Sequence, residues 1–314
     1  MRTLASECDV VIAGGGIAGL TAAVTAARLG RKALVLTGDV PGGLLMSIDK
    51  IEGYPGFPEG VPGYDLCPML QDQAAAAGAE FMMTGLERLD AQERQWRVTT
   101  GEGDILARTV IVATGSLLKR LDVAGEQRLT GSGVSQCASC DAPLFRDRVV
   151  AVVGGGDSAM QEALTLAAFA SQVIILHRGD ALTGQACYRD RVTAHQKIDI
   201  RFNTAVTEIL GESKVTGLRT RKSSEGAVVD LEVDAIFAYV GLEPNTAVLQ
   251  DRLSLDRAGR IPTDGWMRSE LAGVCAAGTV RCQSPCRAVS AAGDGASAAV
   301  TVDRYLTEGS WREG

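Results

Sequence analysis

Apolar residues fall in two alternating rhythms along this chain. Short apolar runs at 9–13, 33–36, 105–113, 148–153, 172–176 and 273–277 are bounded by glycine or polar turns and read as buried strands. Between them, apolar positions recur at helical spacing over 17–30, 64–78, 157–170 and 288–306, with Gly30 as the stop signal of the first helix. Residues 80–100 read as strands and a turn, and 198–240 as short strands turning at Gly211 and Gly226. Pro41-Gly42-Gly43 and Tyr54-Pro55-Gly56-Phe57-Pro58 read as loops. A strand–helix–strand unit therefore occurs near the start and again near residue 150. This pattern predicts an α/β protein with two Rossmann-like, three-layer domains.

Composition narrows the reading. A chain of 314 residues is long for one core, so two domains are expected. Aromatics make up 4%, so the cores must be built from Ala, Val, Leu and Ile. The net charge of −7 disfavours a nucleic-acid or anionic-membrane partner, and no apolar run reaches the length of a membrane span. The first ten residues carry Arg2, Glu7 and Asp9 and lead straight into a strand, so no signal peptide is expected and the location is cytoplasmic. Cysteines at 8, 67, 137, 140, 187, 275, 282 and 286 are too scattered for a secreted disulfide framework.

Each strand–helix junction carries a glycine loop, Gly14-Gly15-Gly16-Ile17-Ala18-Gly19 and Gly154-Gly155-Gly156-Asp157-Ser158-Ala159. Gly14 permits the tight turn, Gly16 lets backbone approach a phosphate, and Gly19 lets helix pack on strand. A glycine turn without a ligand is the plainer alternative. Ala113-Thr114-Gly115 at mid-chain and Gly278-Thr279-Val280 late in the chain suggest FAD at the first loop. The acidic residue expected to bind ribose after the second strand is missing, and Thr37-Gly38 stands there. Between the loops lies Cys137-Ala138-Ser139-Cys140-Asp141. A two-residue spacer brings two sulfurs within bonding reach, and a carboxylate follows at once. Half of a zinc site, with Cys282 and Cys286 as the other half, or a pair of core thiols are the alternatives.

These segments, in this order, resemble the low-molecular-weight thioredoxin reductase family over almost the whole chain. The resemblance also rests on Gly42-Gly43-Leu44-Leu45, Glu52-Gly53-Tyr54-Pro55-Gly56, Gly133-Val134-Ser135, Gly241-Leu242-Glu243-Pro244-Asn245 and Ala276-Ala277-Gly278. It implies a discontinuous FAD domain, 1–116 plus 244–314, with an inserted nicotinamide domain, 117–243, that carries the dithiol. FAD would then be held by Gly14, Gly16, Ile17, Ala18, Gly19, Thr37, Gly43, Leu44, Ala113, Thr114, Gly115, Gly278, Thr279, Arg287 and Ala288. NADH or NADPH would be held by Gly154, Gly156, Asp157, Ser158, His177 and Arg178. Cys140 would lie nearest the flavin, Cys137 would be the more outward thiol, and Asp141 would exchange protons. The resemblance further implies a homodimer acting on a protein or small-molecule disulfide, thioredoxin-like among the candidates. The reverse flow, oxidation of a small dithiol with oxygen as acceptor, a ferredoxin-fed reductase, and a redox sensor without turnover are the competing readings.

Three positions depart from the family pattern. His177-Arg178-Gly179 followed by Thr183 stands where the family has His-Arg-Arg followed by Arg, so two of three guanidinium groups for a 2′-phosphate are missing. Preference for NADPH is therefore doubtful, unless a neighbour such as Arg189 substitutes. Thr279 replaces an Asp that bonds the ribityl chain. Cys286-Arg287-Ala288 replaces Arg-Gln-Ala, and Cys282 and Cys286 are either a second thiol pair or inert. Cys8, Cys67, Cys187 and Cys275 read as packing residues. His195 falls in a polar, exposed helix and receives no role.

Overall fold

The computed structural model describes residues 7–222 and 226–311. The expectation for the first six residues lies outside this range. In chain order the first segment contains β1 Glu7–Ala13, α1 Ile17–Arg28, β2 Ala33–Leu36, α2 Gly63–Ala76, β3 Glu80–Met82, β4 Arg88–Gln92, β5 Gln95–Thr100, β6 Gly103–Val112 and β7 Ser116–Leu118. Next come α3 Glu126–Leu129, β8 Val134–Ser135, α4 Ala138–Asp141, β9 Val149–Val153, α5 Asp157–Ala167, β10 Gln172–Leu176, α6 Ala186–Ala194 and β11 Ile198–Arg201. Then follow β12 Thr204–Leu210, β13 Gly217–Lys222, β14 Val228–Glu232, β15 Ala235–Ala238, β16 Leu242–Pro244, β17 Val274–Ala276 and α7 Ala288–Glu308. The chain divides into two compact units, 1–117 with 243–314, and 118–242.

In the discontinuous unit the sheet order is β3-β2-β1-β6-β5-β4, and β17 pairs with β6. The ten-residue β6 is the spine of the sheet. Its length lies along β1, while the opposite edge takes β5 at Gly103–Ala107 and β17 at Val110–Val112. Side chains alternate, so β1 feeds two cores. Val10 and Ile12 pack under the helices with Ala22, Leu66 and Ala298, while Val11 and Ala13 pack on the other face with Leu89, Val98 and Ile261. Helices α1 and α7 meet through small residues, and a Cβ at Gly295 would overlap the carbonyl of Ala18.

The inserted unit repeats the scheme with five parallel strands, β11-β10-β9-β15-β8. Val150 and Val152 face α4 and α5, whereas Ala151 and Val153 face the antiparallel sheet β12-β13-β14 through Val206, Ile209 and Leu218. Helices, parallel sheet and antiparallel sheet make the three layers. The predicted helix over 157–170 ends earlier, at Ala167, where the Ala170 N–H turns back to Leu166 O before β10. His195 lies just beyond α6 rather than in it, and its Nδ1 accepts from the Lys197 N–H at 3.2 Å.

Candidate functional site

The first glycine loop joins β1 to α1. Gly14 has φ +126°, a backbone conformation that L side chains rarely adopt, and a Cβ there would overlap Ala113 O. A Cβ at Gly19 would overlap Gly14 O, so this helix can approach its strand only without a side chain. Gly16 differs, since the nearest atom to a Cβ there is Gly42 O at 4.0 Å. It is the N-cap of α1, which has no side-chain cap and no acidic residue in its first turn. Ile17 and Ala18 are each 6% exposed, so the first turn offers its N–H donors from a shielded position.

The other predicted flavin residues of this unit fall into two groups. Gly42 N donates to Gly15 O at 2.8 Å, which seats Gly43 and Leu44 beside the loop, and a Cβ on Gly43 would lie 3.5 Å from Gly16 Cα. Thr37 follows β2, is buried, and donates its hydroxyl to Gly38 O at 3.1 Å. At the same carboxyl end of the sheet, Ala113-Thr114-Gly115 after β6 and Gly278-Thr279 after β17 come together beside the loop. Ser116 Oγ donates to Thr279 Oγ1 at 3.0 Å, and a Cβ on Gly115 would lie 3.9 Å from that same oxygen. Arg287 is the exposed N-cap of α7, and Ala288 begins that helix. A glycine cradle with open space at Gly16, an uncapped helix start and a threonine hydroxyl at 279 fits a flavin dinucleotide.

Sequence reasoning missed Asp294. It is 6% exposed, accepts from the Gly278 N–H at 3.1 Å, and takes both Arg281 Nε and Nη2 at 2.7 Å. A buried, bidentate pair thus braces the strand end where Thr279 stands. Its signal was a lone acid in the small-residue stretch Ala291–Ala299.

In the inserted unit the second loop joins β9 to α5. A Cβ on Gly154, at φ +145°, would overlap Tyr239 O, while Gly156 faces open space. The His177 ring occupies the place of a Cβ on Gly155 and lies 2.8 Å from one on Gly179. Arg178 is exposed. Asp157 opens α5 and accepts from Gln185 N at 2.6 Å and Gln185 Nε2 at 3.0 Å. Thr183 donates its N–H to Gly155 O at 2.8 Å and its hydroxyl to the same oxygen at 3.2 Å. Ser158 follows Asp157 in the first helical turn.

Cys137 and Cys140 are joined by a disulfide with Cα atoms 5.3 Å apart. Cys137 is the N-cap of α4, Cys140 N donates to Cys137 Sγ at 3.2 Å, and Asp141 ends the helix. Cys140 is exposed, and Cys137 is half-buried between buried Val134 and Ala138. Phe145, three residues after buried Ala142, packs edge-to-face on Phe237 of β15 with ring centroids 5.9 Å apart and ties the turn to the sheet. Cys282 and Cys286 are free thiols. Burial, then a hydrogen bond to Asp256 Oδ2 at 3.2 Å and that group's charge, pushes the Cys282 thiol up to about 11. Such a thiol is a poor nucleophile at neutral pH.

The chain matches the family model described as pyridine nucleotide-disulphide oxidoreductase over residues 8–295. It is 38% identical over 309 residues to a thioredoxin reductase of Mycolicibacterium smegmatis, covering 98% of this chain and 99% of that one. The chain belongs to the low-molecular-weight thioredoxin reductase family. Among solved structures it is similar to the thioredoxin reductase of Lactococcus lactis, with a TM-score of 0.93, 34% identity, and 96% and 99% of the two chains covered. It is also similar to that of T. acidophilum, with a TM-score of 0.91, 33% identity, and 97% and 99% covered. As a member of the thioredoxin reductase family it is an FAD-dependent disulfide oxidoreductase that uses a nicotinamide dinucleotide.

Proposed function

We propose that this chain reduces the disulfide of a thioredoxin-like protein, with NADH as a donor at least as good as NADPH. The observation that carries the reading is the Cys137–Cys140 disulfide, closed at the start of a four-residue helix that ends on Asp141. FAD, when bound, supplies a two-electron relay between nicotinamide and disulfide. Gly14, Gly16 and Gly19 with the start of α1 hold its pyrophosphate. Thr37, Gly43, Leu44, Ala113–Gly115, Gly278, Thr279, Arg287 and Ala288 complete that site. Gly154, Gly156, Asp157, Ser158, His177 and Arg178 receive the nicotinamide. Two electrons and two protons open the Cys137–Cys140 bond to a dithiol, with Asp141 handling a proton. One thiolate then attacks the substrate disulfide, and the second resolves the mixed disulfide, which restores the Cys137–Cys140 bond and releases a substrate dithiol.

The donor preference rests on the second loop. Gly179 offers no side chain, and the Thr183 hydroxyl is engaged with Gly155 O, so neither supplies a guanidinium to a 2′-phosphate. The same loss is compatible with oxidation of a small dithiol or with ferredoxin as donor. Anaerobic titration of the flavoprotein with NADH and then NADPH, followed by flavin bleaching, tests the reading. Rapid bleaching by NADH and turnover with thioredoxin are expected. A hundredfold advantage for NADPH overturns the donor assignment, and bleaching by a dithiol alone reverses the direction of flow. On the family resemblance we also place the protein in the cytoplasm as a homodimer, which sedimentation at working concentration tests. Among the described residues no helix is long and apolar enough to cross a membrane.

A further inference from the structure

The redox turn rests on two buried side chains that its sequence motif does not contain. Ala138, the residue after Cys137, donates its N–H to Glu162 Oε2 at 3.0 Å and to the Tyr239 hydroxyl at 3.3 Å. The Tyr239 hydroxyl donates in turn to the same Glu162 oxygen at 3.2 Å. Glu162 is 6% exposed on α5, and Tyr239, just after β15, is 8% exposed. Burial first, and the charge of Glu162 next, push the Tyr239 phenol above the usual tyrosine range, so it keeps its proton and remains a donor. One oxygen that collects two donors is the arrangement of an ionised carboxylate. That charge is held 3.0 Å from the N–H of the peptide that follows Cys137, in buried surroundings that screen it poorly.

We propose that Glu162, held by Tyr239, is a positioning residue for the dithiol: it anchors the first peptide of the turn and places a buried negative charge beside Cys137 that opposes ionisation of its thiol. The inference rests on the reading of Cys137–Cys140 as the redox pair. The consequence is a Cys137 thiol that stays protonated to higher pH than the turn alone would hold it. Other titratable groups on the packed elements are few. Asp141 and Cys140 lie on the turn itself, and Asp157 on α5 is engaged with Gln185. Val134–Ser135 and Ala142–Phe145 carry none.

The test uses the full-length Cys140→Ser flavoprotein, in which Cys137 is a single thiol. Iodoacetamide labelling of the Cys137 peptide is followed by mass spectrometry across pH. Adding Glu162→Gln is expected to lower the midpoint by about one pH unit, because a like charge that opposed the thiolate is gone. Tyr239→Phe keeps the charge and removes one donor to it, so the midpoint holds or rises. A midpoint unmoved by Glu162→Gln overturns the proposal. So does a fall with Tyr239→Phe as large as that with Glu162→Gln, which would make packing rather than charge the cause. If Glu162→Gln does not fold, Tyr239→Phe decides alone, and any fall in its midpoint counts against the proposal. Labelling needs no flavin turnover, so failure of the disulfide-reductase reading shows separately, as loss of thioredoxin reduction by the unmodified protein.

Discussion

At the first glycine loop, β1 enters α1 through Gly14–Gly16, and the helix starts with no acid in its first turn and no side-chain cap. At the second, β9 enters α5 through Gly154–Gly156, but Asp157 follows at once and Thr183 and Gln185 fold onto the loop. Both use positive φ at the leading glycine and open space at the third. In each loop the middle glycine's carbonyl is taken by a neighbouring backbone N–H, Gly15 O by Gly42 and Gly155 O by Thr183, and neither helix has a side-chain cap. The difference is Asp157, an acid in the first turn of α5 that Gln185 engages, where α1 has none. On the proposed assignment one backbone device serves two dinucleotides, flavin at the first loop and nicotinamide at the second, and the acid in the first turn is what distinguishes them.

The largest test of that contrast is Gly19→Ala. Its Cβ would overlap backbone at Gly14 O, so the strand–helix contact must open. We expect purified protein without flavin and a loss of stability on the order of 1–3 kcal/mol, read by the 450 nm region of the absorption spectrum and by thermal melting. Gly154→Ala should act on the other loop alone. Its Cβ would overlap Tyr239 O, so flavin stays bound and is still bleached by dithionite, while NADH no longer bleaches it. Retained NADH reactivity would show that the second loop is not the nicotinamide site.

Smaller effects sharpen the comparison. Restoring Arg at both Gly179 and Thr183 should improve NADPH use at least tenfold over NADH, since each charge-assisted contact is worth about 1.5–3 kcal/mol. The His177 ring must shift to admit a side chain at 179, which trims the gain. Equal use of both donors by that variant would mean that the phosphate is read elsewhere, with Arg189 the first residue to test. The smallest effect concerns Cys282. With its thiol pushed up to about 11, it stays protonated and labels slowly at pH 8. Asp256→Asn removes an acceptor and a negative charge, so the labelling midpoint should fall. Fast labelling of Cys282 in the unmodified protein would refute this account.

The framework was legible because both sheets are mostly parallel and buried on two faces. Ala33–Leu36 and, within β10, Val173–Leu176 are unbroken apolar runs and fall where the pattern put them. The short pieces were not legible. β8 has two residues and α4 has four, and neither length carries a period. Glu162 was hidden for another reason. It lies in Gln161-Glu162-Ala163, which reads as a solvated helix face, and only the return of β15 beside β9 brings Tyr239 over it. Asp294 was likewise invisible until Arg281 folded back onto it. Local periodicity reports burial of apolar residues, while a buried acid is explained only by partners far along the chain.

The late position of β17 and α7 sets a schedule for biosynthesis. β6 is complete at Val112, yet its partner β17 begins at Val274, and α7, which covers α1, ends at Glu308. At ribosomal rates of about 5–20 residues per second, the wait from β6 to the end of α7 is roughly 10–40 s. During that interval the inserted unit, contiguous from 118 to 242, emerges whole. It has every strand it needs, while the earlier-made half still shows the apolar flank of α1 to the cell. The segment that leads the chain is therefore the last to receive its partners, and we expect nascent protein to depend on chaperones most before β17 and α7 emerge.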